Sequence, residues 1–312
     1  MNNIKVINQH ITDKYAIYHG DSCEVLKGIP DNTIHYEIYS PPFTNLYTYS
    51  NSERDLGNSH DNNEFYNHFK FIASELFRVL MPGRLMSVHC MDIPVMKERD
   101  GYIGLNDFPG HLIKLFQDIG FIYHSRVTIW KDPLVEATRT KSIGLMHKQV
   151  VKDSAMCRQG LPDYLITFRK PGDNPELISH KEGFTEYIGD EKPLLGKKSV
   201  LSHHIWRKYA SPVWMDINQS NTLQYRSARE DKDEKHICPL QLDVIRRAVE
   251  LWTNKNDVVL SPFGGIGSEP VVAIEMERRA IAIELKESYY KQMKANCINA
   301  VYRKKNKGIL DD

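Results

Sequence analysis

"DVVLSPFGGIGSEPVVAIEMERRAIAIELKE", residues 257–287, joins a β-rich apolar run, a glycine turn, a helical stretch and a second apolar run that ends in an acid. That order describes a βαβ unit, with two parallel strands and a helix packed across them. Gly264, Gly265 and Gly267 allow positive φ and close approach of a ligand to backbone, and the helix that follows opens with N–H groups lacking intrahelical partners. Glu284 closes the second strand, where a carboxylate can accept both hydroxyls of a ribose. Turn and acid together point to a nucleoside cofactor. The dinucleotide pattern is incomplete, because Pro270 stands where its third glycine would be, and the P-loop lysine is missing. A glycine turn serving packing alone is the plain alternative.

Outward from this unit the same alternation continues. "PLQLDVIRRAVELWT" precedes it as an amphipathic helix. Near the amino terminus "YAIYHGD" and "TIHYEIYS" read as strands, and "NEFYNHFKFIASELFRVLMPG" places Phe65, Phe69, Ile72, Leu76 and Leu80 on one helical face. "PG" is expected to end that helix, with "RLMSVHC" following as a strand. Another helix, "FPGHLIKLFQDIGF", leads into "IYHSRVTIW" and later "PDYLITFRKPG". The expected architecture is α/β, a mostly parallel twisted sheet with helices on both faces. Residues 171–236, rich in Pro, Gly, His, Lys and Ser, break the pattern and read as an irregular insertion. The division is therefore 1–170, 171–236 and 237–312, the first and last forming one catalytic domain.

Composition narrows the function. The chain has 312 residues and a formal charge of +1, so nucleic-acid binding would rest on local patches. Cys23, Cys90, Cys157, Cys238 and Cys297 form no CxxC pair, which argues against a zinc site and a disulfide framework and fits a reducing cytoplasm. No segment approaches the roughly 20 apolar residues of a membrane span. Neither a metal nor a membrane partner is expected.

"EIYSPPF", residues 37–43, ends a strand in two prolines. Proline has no N–H, so the carbonyls of Ser40 and Pro41 can remain acceptors at the sheet edge. Acceptors, a hydroxyl and an aromatic ring suit a planar group carrying an amine, such as a nucleobase. A rigid turn over a buried Phe43 is the alternative.

At this point the chain resembles the S-adenosylmethionine-dependent amino-methyltransferases of DNA. The resemblance rests on the tetrad Ser40, Pro41, Pro42, Phe43 and the turn Phe263, Gly265, Gly267. The tetrad precedes the turn, which is the order of the circularly permuted β group. "HGDSCEVLKGIPDNTI", "FRVLMPGRLMSVHC" and "HICPLQLDVIRRAV" match the segments around them, and the likeness spans residues 15–170 and 235–297. It implies a Rossmann-like methyltransferase fold, with S-adenosylmethionine held by Ser261, Pro262, Phe263, Gly265, Gly267, Glu284 and Asp21, and a flipped base held by the tetrad. Two departures stand out: Ser261 where the family usually has Asp, and Cys238 where many adenine-directed relatives have Lys. The resemblance also allows a homodimer.

Ser at the tetrad's first position is more typical of N4-cytosine enzymes and Asp of N6-adenine enzymes, so N4 of cytosine is the expected target and N6 of adenine the alternative. Carbon-5 methylation would use a cysteine after proline, and there is no Pro-Cys dipeptide. Tyr47 and Tyr49 suggest a loop over the base. Arg139, Lys141 and Lys148, with neighbouring Lys131, Lys152, Arg158, Arg169 and Lys170, are candidates for phosphate contacts. Within the insertion Lys197, Lys198, Arg207 and Lys208, with Trp206 and Tyr209, are candidates for target recognition in double-stranded DNA. A methyltransferase fold that binds DNA without catalysis is the rival from another class, and methylation of RNA or a protein amide is a third reading.

Overall fold

The computed structural model describes residues 6–42, 62–95, 97, 101–140, 147–180, 205–224 and 239–310. Its strands are β1 (Asn8–Ile11), β2 (Tyr15–His19), β3 (Ile34–Tyr39), β4 (Leu80–Cys90), β5 (Ile93–Val95), β6 (Gly104–Asn106), β7 (Ile122–Ile129), β8 (Asp163–Arg169), β9 (Val213–Trp214), β10 (Val258–Ser261) and β11 (Arg279–Glu284). Its helices, numbered in chain order, are α1 (Ser22–Leu26), α2 (Asn62–Val79), α3 (Phe108–Ile119), α4 (Pro133–Thr140), α5 (His147–Lys152), α6 (Leu242–Trp252), α7 (Ser268–Glu275) and α8 (Glu287–Leu310). A nine-stranded sheet runs β1-β2-β11-β10-β3-β4-β8-β7-β9, and β5 pairs with β6 separately. From β2 through β11, β10 and β3 to β4 every pairing is parallel, while β1 and β8 run against their neighbours.

Helices cover both faces because successive strand residues point to opposite sides. Ile17, Ile38, Val259 and Ala282 pack with α6, α7 and α8 through Val244, Val249, Val272 and Met293. Their neighbours Tyr18, Tyr39, Leu260 and Ile283 pack on the other face with Phe65, Phe69, Leu76, Leu112 and Phe116 of α2 and α3. Strands buried on both sides read as near-continuous apolar runs, as the sequence does here. The aromatic face is tight: Phe65 and Phe69 stack with centroids 5.5 Å apart, and Phe69 meets Phe116 edge-on at 6.0 Å. Truncating Phe69 to Ala would cost about 3–5 kcal/mol.

One expectation needs correction. Pro82-Gly83 does not end α2; the helix stops at Val79, and the pair lies inside β4 where its register with β3 shifts. Gly83 has φ +72, and a Cβ there would lie 2.5 Å from the backbone nitrogen of Asn174, so only glycine fits this crossing. The described parts of residues 171–236 pack on the domain: β9 extends the sheet edge, Trp214 is buried, and Arg247 of α6 holds Asp216 through two bonds of 3.0 and 2.7 Å.

Candidate functional site

The chain leaves β3 towards β4 on one side and β10 towards β11 on the other, so strand order reverses between β3 and β10. Open α/β sheets form their ligand crevice at the carboxyl ends of the strands flanking such a reversal. β3 and β10 are parallel neighbours, with Leu260 opposite Glu37, so Ser40-Pro41-Pro42 and the turn from Pro262 to Gly267 emerge side by side. Phe263 joins them, its ring 5.7 Å from that of Tyr39 and 6.1 Å from that of Phe69.

The glycine turn is fixed from below by strand β11. Gly264 donates its N–H to the Ile283 carbonyl at 2.8 Å, and Gly265 donates to Oε2 of Glu284 at 2.8 Å. Oε1 of Glu284 accepts from the Lys286 N–H at 2.8 Å, so the acid at the strand end holds both the turn and its own loop. A Cβ on Gly264 or Gly267 would lie 2.9 Å from Met293, which makes those glycines a packing requirement against α8. Gly265 differs: φ is +51, and a Cβ there would meet nothing within 4 Å. The side of the turn at Gly265 is an open cradle. Behind it Ser261 is buried, and its Oγ has no hydrogen-bond partner among the described residues. At the next strand end Asp21 caps α1 by accepting the Cys23 N–H at 2.8 Å, and Ser22 donates to the Pro262 carbonyl at 2.5 Å. An open glycine cradle, an unsatisfied buried hydroxyl and strand-end carboxylates fit a nucleoside cofactor with polar groups. Glu269 lies just beyond, in the first turn of α7; burial first, and then Glu284, push its carboxyl up to about 8, against a lowering by its own backbone N–H.

Ser40 stands at the open end of β3. Its Oγ lies 2.7 Å from Nδ1 of His89 on β4. His89 Nε2 lies 3.1 Å from Oδ2 of Asp163, off the N–H axis, and Asp163 is paired through Oδ1 with Lys131. Burial opposes the charge on Asp163, but Lys131 and then His89 outweigh it and hold the carboxyl well below the ordinary carboxylate range. Pro41 is buried and Pro42 half-buried beside this row.

The other expected residues are not gathered at this edge as a set. Phe43, Tyr47, Tyr49, Lys141, Lys197 and Lys198 lie outside the described residues, and Arg139 falls at the end of α4 where side chains are not described. Lys148 and Arg207 are exposed, and Lys208 pairs with Asp216 at 2.7 Å. Three expected DNA contacts are corrected. Tyr209 is buried, its hydroxyl 2.5 Å from Glu250; Lys131 is buried against Asp163; and Lys170 donates to Asn32 Oδ1 at 2.7 Å and the Leu80 carbonyl at 2.7 Å. Sequence reasoning missed His89 and Asp163. Their only signal was position, a polar residue at the end of one strand and an acid opening another.

Residues 34–295 match the model of the N6/N4 DNA methylase family. The Type II methyltransferase M.BglII of Bacillus subtilis is 26% identical over 283 residues, covering 90% of this chain and 67% of that protein. Among solved structures, a Thermus thermophilus chain described as a candidate DNA modification methylase, complexed with S-adenosyl-L-methionine, superposes with TM-score 0.63 at 20% identity, covering 92% of this chain and 96% of its own. The PvuII DNA methyltransferase, described as cytosine-N4-specific, gives 0.62 at 16% identity, covering 97% of each chain. At such identities the two structures speak for the Rossmann-like methyltransferase fold.

Proposed function

Because the chain belongs to the N6/N4 DNA methylase family, we propose that it transfers a methyl group from S-adenosylmethionine to the N4 amine of a cytosine flipped out of duplex DNA. The observation that carries the reading is the position of Ser40: a hydroxyl at the end of β3, beside the glycine cradle at the point where strand order reverses.

The cradle residues divide the cofactor between them. Phe263, Gly265 and Gly267, with Ser261 and Pro262 behind, would hold its methionine part, Glu284 its ribose, and Asp21 would lie near its adenine. When bound, S-adenosylmethionine supplies an electrophilic methyl group. An exocyclic amine is a poor nucleophile while its lone pair is conjugated with the ring. Ser40 Oγ and the Pro41 carbonyl, accepting its hydrogens, favour the more tetrahedral nitrogen and aim its lone pair. Such neutral hydrogen bonds contribute about 1 kcal/mol each, whereas Asp in that place would make bonds roughly twice as strong.

Extracting the base costs a few kcal/mol, and stacking on Phe43 would return roughly 1–3 kcal/mol. Tyr47 and Tyr49 are assigned to the base side, and Arg139, Lys141, Lys148, Lys197, Lys198 and Arg207 to the DNA backbone, on the sequence alone. Residues 171–236 carry the target-recognition role in this reading. Similarity to Type II methyltransferases supports a role in restriction–modification. Among the described residues no helix is long and apolar enough to cross a membrane.

The test is labelled-methyl transfer to mixed-sequence duplex DNA, followed by digestion to nucleosides and mass spectrometry, with Ser40→Ala alongside. N4-methylcytosine that disappears in the variant supports the reading. N6-methyladenine would keep the site and overturn the base.

A further inference from the structure

Amine methylation leaves one proton to be placed. The amine begins with two hydrogens, gains a methyl and ends neutral with one, and a serine hydroxyl alone is no base near neutral pH. Ser40 does not stand alone. It opens a row of polar residues drawn one from each of four neighbouring strand ends: Ser40 after β3, His89 on β4, Asp163 at the start of β8 and Lys131 after β7. The contacts run along the row in that order, from Ser40 Oγ to His89 Nδ1 at 2.7 Å, from His89 Nε2 to Asp163 at 3.1 Å, and from Asp163 to Lys131. The contact with Ser40 suits the neutral tautomer whose lone pair is on Nδ1, facing the hydroxyl, and whose proton is on Nε2, which lies 3.1 Å from the Asp163 carboxylate without being aligned to it. Ser40 then donates to His89, and its oxygen lone pairs are left for the amine.

We infer that His89 is a positioning residue that acts through Ser40 as the acceptor of the amine's proton, with the Asp163 carboxylate beside its ring to balance the charge. The inference rests on the methyltransferase reading above. As the nitrogen lone pair forms the bond to the methyl carbon, the old carbon–sulfur pair stays on sulfur. The amine's proton moves to Ser40 Oγ while the hydroxyl's own proton moves to Nδ1. Serine ends as it began, and the positive charge ends on an imidazolium beside Asp163, to be lost to solvent after product release. Lys131 keeps Asp163 ionised before and after, so the row gains one charge without creating an unpaired buried one. Other charged or titratable groups near the ring's strand end are Cys90 and Asp92 on its own chain segment, Arg126 of β7 and Asp107 ahead of α3.

Two readouts test this, one of them independent of turnover. In the free protein labelled with 15N-histidine, His89 is expected as the Nε2–H tautomer at pH 8, with an Nδ1 signal that shifts in Ser40→Ala. In single-turnover methylation His89→Gln is expected to lose about 10²–10⁴-fold in rate with unchanged S-adenosylmethionine affinity. Ser40→Ala/His89→Gln should be no slower than the slower single variant, as for groups acting as a unit. An Nδ1 signal indifferent to Ser40, a His89→Gln rate like the wild type, or losses that multiply would each overturn the inference. If His89→Gln does not fold, the Ser40→Ala spectrum decides. A wild-type chain that methylates no nucleoside, with the His89 spectrum as expected, would instead overturn the methyltransferase reading and the proton's destination with it.

Discussion

The two edges of the central sheet carry nearly the same chemical parts and differ in what the last part faces. At the carboxyl edge, His89 stands between Ser40 and the Asp163–Lys131 pair. At the amino edge, His35 of β3 lies 3.3 Å from Glu176 and 3.8 Å from Asp257, and Arg84 of β4 reaches Asp257 at 3.0 Å. Each edge thus holds an imidazole, a buried carboxylate and a cation. His35, however, accepts the Val258 backbone N–H on Nδ1 at 3.2 Å, so its hydrogen-bonding capacity is spent inside the fold. His89 spends the same atom on a hydroxyl that opens onto the crevice. His35, Glu176 and Asp257 could geometrically hold a metal, but Arg84, with 0% exposure, already supplies the positive charge there. A histidine–acid–cation set thus either braces the fold or faces the crevice according to its terminal partner.

Substitutions at the two edges should therefore differ in the rate per folded molecule. The largest effect is expected from Asp163→Asn, which cannot balance an imidazolium and leaves Lys131 buried without its carboxylate: stability should fall by about 3 kcal/mol, and methyl transfer per folded molecule should drop about 10³-fold, read by single-turnover labelling. At the opposite edge Arg84→Met should cost about 3 kcal/mol by leaving Asp257 buried without its guanidinium. Denaturant melts measure that loss, and the rate per folded molecule should stay at the wild-type level; a large loss of rate would mean that the edges are coupled.

Glu269 tests the cradle side. Its carboxyl is raised from 4.5 to about 8, so the folded state holds the proton longer than the unfolded chain does. This contribution to stability is complete below pH 4.5 and is lost as pH rises through 8. Glu269→Gln should remove that loss and stabilise the protein by roughly 5 kcal/mol above pH 8, with little difference at pH 4, as thermal melts across pH would show. Gly265→Ala should weaken S-adenosylmethionine about 10-fold while the protein still folds, since the new methyl enters the open cradle; calorimetric titration reads it, and unchanged affinity would move the cofactor elsewhere. The smallest effect is expected from His35→Ala, about 1 kcal/mol for the Val258 N–H left without its acceptor, with methylation intact.

The legible part of the site was the part built from local chain. Ser40-Pro41-Pro42 and the Phe263–Gly267 turn are contiguous, and their residue types state their backbone needs. Pro82-Gly83 misled because the same dipeptide that ends helices also serves a strand bulge, and only the crossing of Asn174 above Gly83 shows which applies. Lys131 and Lys170 misled because a lysine's partners cannot be read from its neighbours in sequence. Both resemble surface cations in the string and are buried in the fold.

By itself, then, the sequence determined the alternation of strands and helices, the two-faced burial of the strands and the two backbone motifs, because periodicity and backbone conformation are properties of adjacent residues. Strand order belonged to the tertiary structure. By setting β3 beside β10 it brought Ser40-Pro41-Pro42 next to the glycine turn, and by setting β4 and β8 next in line it gave Ser40 a histidine 49 residues away and an acid beyond it. Hydrogen bonds act over about 3 Å of space, whatever the distance along the chain, so the groups that tune a site become visible only once the sheet is assembled.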